Sequence, residues 1–208
     1  MSGGTQLRPF VTSDLPGMYD VCLRTGDSGA DATGLYSDPF LLAHVYAGPY
    51  PVADPGLTFV LTGRGRVLGY VVGTADTVGF EEWQERSWWP TLREQLADHP
   101  AADPGDGSQD WERVQHIRRA RPQHDPLYER FPAHLHIDLL PEAQGGGNGR
   151  RLMTRFLDAL RTRGVPGVHL GVGSGNPGAR AFYLATGFTE ARVQDWGSTM
   201  VMDLVDRS

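Results

Sequence analysis

The sequence predicts an α/β fold (α+β, mixed sheet), and two patterns carry that prediction. His134 to Leu140 reads as an apolar strand, Gly147 to Arg163 as a helix with Leu152, Phe156, Leu157 and Leu160 on one face, and Val168 to Val172 as a second strand. Together they form a βαβ unit, expected to be right-handed. Thr58 to Thr62 and Val67 to Thr74 are β-rich runs joined by Gly63-Arg64-Gly65-Arg66, which predicts a hairpin whose glycines take positive φ. A parallel unit and a hairpin in one chain imply a mixed sheet covered by helices.

The remaining elements follow in order. Gln6 to Val11 reads as a strand. Thr12-Ser13-Asp14 then caps a helix with Pro16 in its first turn and Leu15, Met18, Val21 and Cys22 at helical spacing. Thr25 to Gly34, rich in Gly, Asp and Thr, is a loop, and Asp38-Pro39 opens a short helix through Tyr46. From Phe80 to Arg130 the pattern is helical but broken, with Trp83, Trp88 and Trp89 in one piece and Trp111, Val114 and Ile117 in another. Asp98 to Asp110 between them reads as an exposed, mobile connection. A last helix, Ala179 to Ala185, leads to strands near Phe188 to Val193 and Thr199 to Leu204.

A chain of 208 residues, 39% hydrophobic and 21% charged, is long enough to bury a core without disulfides, and one domain spanning 1–208 is expected. Met1 to Phe10 has no apolar leader pattern, and no apolar run approaches a membrane span, so a cytoplasmic protein without a membrane partner is expected. A net charge of −6 argues against non-specific nucleic-acid binding. The single cysteine, Cys22, allows no intrachain disulfide and reads as a buried small hydrophobe; the other reading is a catalytic thiol. His134-x-His136 lacks an apparent third ligand, so no metal is expected.

The chemistry concentrates in Pro141-Glu142-Ala143-Gln144-Gly145-Gly146-Gly147-Asn148-Gly149-Arg150, between an apolar strand and an amphipathic helix. Strand, glycine loop and helix make an anion site: bare backbone lets N–H groups approach, and the helix N-terminus adds about half a positive charge. There is no Gly-Lys-Ser/Thr, and Arg150 stands where the third glycine of a dinucleotide fingerprint would fall.

Gln144-x-x-Gly147-x-Gly149 resembles the Q/R-x-x-G-x-G/A pyrophosphate loop of the GNAT acetyltransferases, and Asn176-x-x-Ala179-x-x-x-Tyr183-x-x-x-Gly187-Phe188 resembles the segment that closes their cofactor site. Tyr70-Val71-Val72-Gly73-Thr74-Ala75-Asp76, Gly48-Pro49-Tyr50 and the Trp-rich insert are similar to the acetyltransferase-like C-terminal domain of animal O-GlcNAcase. The resemblance implies a GNAT acyl-CoA N-acyltransferase fold with a helical insert, about 80–131, between strands 3 and 4. It implies acetyl-CoA as co-substrate and transfer of acetyl to a primary amine on a small molecule or peptide, by a monomer or homodimer. The alternative is an acyl-CoA-binding sensor without turnover.

Site residues carried over by resemblance are Leu139, Leu140 and the Pro141 carbonyl for the acyl group and pantetheine. Gln144 belongs to the loop motif, and N–H groups of Gly145, Gly147, Asn148, Gly149 and Arg150 hold the pyrophosphate, with Arg150 or Arg151 meeting a phosphate charge. Tyr183 protonates the departing thiolate, or is a core aromatic. Asn176 binds the pantetheine arm, caps the last helix, or does both. Strand alternation puts His136 and Asp138 on one face, opposite Leu135, Ile137 and Leu139. Asp138 is the favoured general base and His136 the second, against a reading of Asp138 as a structural acid. The loop from Gly26 to Gly34 is expected to line the acceptor side, with Asp27 and Asp31 either anchoring an ammonium or standing as solvated turn acids.

Overall fold

The structure is a computed structural model that describes residues 4–99 and 109–205. Seven strands make one mixed sheet: β1 (Gln6–Pro9), β2 (Thr58–Gly63), β3 (Arg66–Thr74), β4 (Ala133–Leu139), β5 (Gly167–Gly173), β6 (Thr189–Gln194) and β7 (Gly197–Asp203), in the order β1-β2-β3-β4-β5-β7-β6. Only β4 and β5 run parallel, and every other neighbouring pair is antiparallel. This is the mixed sheet expected from sequence. The hairpin is tighter than its glycines suggested: Gly63 and Arg66 lie in the strands, and Arg64 (φ 51°) and Gly65 (φ 78°) alone make the turn. A two-residue turn with both φ positive follows the right-handed twist of its strands.

The N-terminal strand ends at Pro9, two residues early, because the Asp14 carboxylate accepts from the Val11 amide (2.9 Å) and from Arg8, drawing the chain into the turn that starts helix α1 (Leu15–Arg24). Helix α1 packs on β3 and buries Met18, Val21 and Cys22. Cys22 is thus the buried small hydrophobe expected, and burial pushes its thiol pKa up, away from thiolate chemistry. The opposite face takes helix α8 (Asn148–Thr162), whose Leu152, Phe156 and Leu160 are fully buried. Gly73 admits the Phe156 ring; a Cβ there would stand 2.4 Å from it and 2.2 Å from the His134 carbonyl. Burying one such phenylalanine contributes about 1.5–3 kcal/mol.

Between β1 and β2 lie α2 (Leu41–Tyr46) and α3 (Pro49–Ala53); the sequence reading reached the first and missed the second, which spans barely more than a turn. The segment between β3 and β4 carries α4 (Thr77–Trp83), a π-helical turn (Gln84–Trp88), α5 (Trp89–Gln95), α6 (Asp110–Arg119) and α7 (Leu127–Arg130). Helix α4 begins three residues earlier than its apolar pattern, since Asp76 caps it by accepting from the Gly79 amide. Leu41 and Val45 of α2 meet Trp89, Leu92, Leu96, Val114 and Ile117 in a second hydrophobic cluster, which places Trp89 in the core of the insert. Arg93 ties that cluster together, pairing with both Glu85 oxygens at 2.8 Å and donating to the carbonyls of Ile117 and Ala120. The connection expected at Asp98 to Asp110 falls mostly outside the described residues. Helix α9 (Pro177–Ala185) precedes β6 and starts two residues before its apolar pattern, with Pro177 at its first position.

Candidate acyl-transfer site

Strands β4 and β5 pair only at Ala133 with Val168 and His134 with His169. Beyond that point β4 stays on β3 through Leu139, and β5 stays on β7 through Gly173, so the sheet opens into a wedge between its two halves. The Leu140 amide donates to the Leu68 carbonyl at 2.9 Å. Antiparallel pairs alternate, so Asp138 and His136 also bond toward β3, whereas the amides of Ile137 and Leu139 face the wedge. This corrects one expectation: the Leu140 amide is engaged on the β3 side. The amide of Ile137, a residue sequence reasoning passed over, takes its place beside that of Leu139. The Pro141 carbonyl accepts from the Gln144 amide at 3.1 Å and keeps one lone pair.

At the end of β4 a single turn, Pro141–Ala143, leads into the glycine loop. Gly145, Gly146 and Gly147 all have positive φ (74°, 51° and 78°), a backbone course that L side chains adopt only under strain, and nothing lies within 4 Å of where their Cβ atoms would be. Gln144 does not extend into that space: its side-chain amide donates to the Leu139 carbonyl at 3.0 Å and fixes the loop to the strand. Asn148 braces the loop from the other side, donating to the Ala143 carbonyl (3.0 Å) and accepting from Arg151 (2.9 Å). The Asn148 amide has only a long contact, 3.4 Å, with the Gly145 carbonyl. The amides of Gly145, Gly147, Gly149 and Arg150 make no hydrogen bond among the described residues. Four free donors in open space at the N-terminus of a fifteen-residue helix fit a pyrophosphate. Arg150 reaches the Ala185 carbonyl (3.2 Å) and Arg151 turns to Asn148 and Thr5, so both guanidinium groups stay on the exposed rim.

Asp138 lies near enough to Tyr183 for its charge to act on the phenol, whereas His136 is packed among aromatic rings. The Tyr70 hydroxyl donates to Asp138 Oδ2 at 2.6 Å. Burial raises the Asp138 pKa, and hydrogen bonding from Tyr70 partly offsets it. A raised carboxyl pKa moves an acid toward the range useful for a base at neutral pH. Tyr183 is buried against Phe182 and Phe188, its hydroxyl has no hydrogen bond among the described residues, and burial with the nearby Asp138 charge raises its pKa. A phenol held neutral is a proton donor. His136 sits between the rings of Tyr46 and Tyr50, and burial, then His169, lower its pKa to about 4, too weak a base for an amine at neutral pH. His134 is held by Tyr50 (2.9 Å) on one nitrogen and Thr77 (2.8 Å) on the other.

Asn176 caps α9, accepting from the Ala179 amide at 2.9 Å, and a Cβ on Gly29 would stand 3.5 Å from its Nδ2. The loop from Gly26 to Gly34 therefore lies against the β5–α9 connection, at the open end of β5. Asp31 accepts from the amide and hydroxyl of Thr33 (2.9 and 2.5 Å), which lowers its pKa and gives it the role of a turn acid; Asp27 pairs with Ala30 through backbone alone and leaves its carboxylate exposed. Trp196, half-exposed, lies on Gly171 of β5, 3.1 Å from where a Cβ would be. Strand pairing brings Tyr70 to Asp138 and the β6–β7 turn brings Trp196 to Gly171, contacts that no local sequence signal announces.

A model of the Acetyltransferase (GNAT) family matches residues 108–188, the stretch that carries β4, the glycine loop, α8, β5 and α9. The crystal structure of SsHAT is similar at 38% identity and a TM-score of 0.88, over 98% of this chain and 100% of that one. Mycothiol acetyltransferase of Beutenbergia cavernae is 53% identical over 53 residues, 26% of this chain, and the match spans only 18% of that protein. The fold is shared with yncA of Salmonella typhimurium, solved with its cofactor acetyl-CoA, at 16% identity and a TM-score of 0.54 over 98% of this chain and 96% of that one. The chain belongs to the GNAT acetyltransferase family.

Proposed function

We propose that the chain is an acetyl-CoA-dependent N-acetyltransferase acting by direct attack of a primary amine. The observation that supports this best is the wedge, where the Leu139 amide, Asp138 and Tyr183 meet one end of a loop of unbonded amides. Acetyl-CoA supplies the activated acyl group. The amides of Gly145, Gly147, Gly149 and Arg150 hold its pyrophosphate, Asn176 its pantetheine arm, and the Leu139 amide the acyl oxygen as that oxygen gains charge. Asp138 takes a proton from the attacking nitrogen as the C–N bond forms, and Tyr183 gives one to the sulfur as the C–S bond breaks. Asp27 and the Trp196 ring lie on the acceptor side, suited to an ammonium on a small molecule or peptide. The span 1–208 acts as one cytoplasmic domain, monomeric or dimeric. The narrower likeness to the O-GlcNAcase C-terminal domain rests on Tyr70 to Asp76, Gly48-Pro49-Tyr50 and the Trp-bearing insert.

Calorimetric titration with acetyl-CoA tests the reading. Saturable binding near one per chain is expected, and Gly147→Asp, folded by circular dichroism, should lose it by placing bulk and negative charge among the donors. No binding to folded wild-type protein sinks the assignment. Binding with neither slow release of free thiol nor transfer to any amine favours the sensor instead.

A further inference from the structure

Tyr70 is fully buried in the middle of β3, directly across from Asp138 in the register of β3 with β4. A phenylalanine would fill that volume without a polar atom to satisfy, so the hydroxyl asks for an account. Its partner is Asp138 Oδ2, at 2.6 Å, and Oδ1 accepts no hydrogen bond among the described residues. Thr25 borders the same carboxylate, but its proton goes to the Val21 carbonyl at 2.7 Å. The groups that face this carboxylate from the packed elements are Tyr70 on β3, Cys22 on α1, Thr25 just past the end of α1, and Tyr183 on α9; no cation is among them.

We propose that Tyr70 is a positioning residue for the base: its hydroxyl pins Oδ2 of Asp138, fixes the carboxylate rotamer and keeps it ionised, so that Oδ1 is presented to the amine. The proposal rests on Asp138 being the base. With no cation nearby, this one hydrogen bond is what opposes burial and favours the charged carboxylate. Removing it leaves the carboxyl free to rotate and easier to protonate.

The test is Tyr70→Phe, an isosteric change that leaves the core filled, read by two methods. In protein labelled with carboxyl-13C aspartate, the Asp138 resonance, assigned by its loss in Asp138→Asn, should titrate at higher pH in the variant than in wild type. In kinetics, the acid limb of kcat/KM should move in the same direction. At pH values below both limbs the variant should lose about tenfold in kcat/KM, the equivalent of one pKa unit, with acetyl-CoA affinity unchanged. An Asp138 resonance that titrates identically in both proteins overturns the proposal, whatever the rates do. A resonance that moves while the rate profile stays in place overturns the catalytic role and, with it, Asp138 as the base. Wild-type turnover in Asp138→Asn removes the base assignment on its own, separately from the Tyr70 contact.

Discussion

Tyr183, the proposed proton donor, illustrates how little of such a role is visible in side-chain type. Its ring packs as any core aromatic would, between Phe182 and Phe188, and only the hydroxyl distinguishes it, neutral beside Asp138 and without a hydrogen bond among the described residues. Tyr183→Phe keeps the packing and removes the proton. Turnover should fall by about 10²-fold or more with acetyl-CoA affinity nearly unchanged, and steady-state kinetics beside calorimetry checks both. Unchanged turnover would leave Tyr183 as the core aromatic that its neighbours already make it.

At the scale of elements, the site is a set of termini. The end of β4, the start of α8 and the start of α9 each leave backbone groups unpaired, and each is met differently: Leu139 and Ile137 by the divergence of β5, α8 by three glycines, α9 by the Asn176 side chain. The first two leave donors for a ligand, whereas the third closes its own end. Asn176→Ala should therefore lower stability by about 1 kcal/mol, the usual value of an N-cap, measured by urea unfolding. If Asn176 also holds the pantetheine arm, the same variant weakens acetyl-CoA binding; an affinity equal to wild type would confine Asn176 to capping.

The whole molecule couples this site to acid stability. His134 and His136 line β4, and His169 faces His134 from β5, so the strands that form the wedge carry a row of half-buried and buried imidazoles. Burial lowers all three pKa values, that of His136 from 6.5 to about 4. Between those pH values the unfolded chain takes up protons that the folded chain refuses, so stability should fall as pH drops from about 6.5 toward 4. Asp138 and Glu81 oppose this trend, since their raised pKa values favour the folded state as pH falls, but His44 and His116 are lowered as well, so two carboxyls stand against five imidazoles. Thermal unfolding followed across that range checks the sign, and a melting temperature that holds steady or rises on acidification would contradict it.

The local pattern of this chain determined most of its elements and the course of its glycine loop. The period of Leu152, Phe156 and Leu160 makes α8, and the glycines before it already specify an open, amide-lined anion site, because backbone torsions and helix ends are properties of a few adjacent residues. Local pattern also placed Asp138 and His136 on one face of β4. It did not separate them: one acquires a phenol donor and a raised pKa, the other an aromatic cage and a lowered one, and both outcomes depend on residues 68 to 90 positions away in sequence. The contact of Tyr70 with Asp138, the α2 and α6 partners of Trp89 and the engaged Leu140 amide were illegible for the same reason. Register between strands and the point at which β4 leaves β5 are set by the packing of the entire sheet between α1 and α8, and only the folded chain decides which of two identical amides faces a partner strand and which faces the wedge.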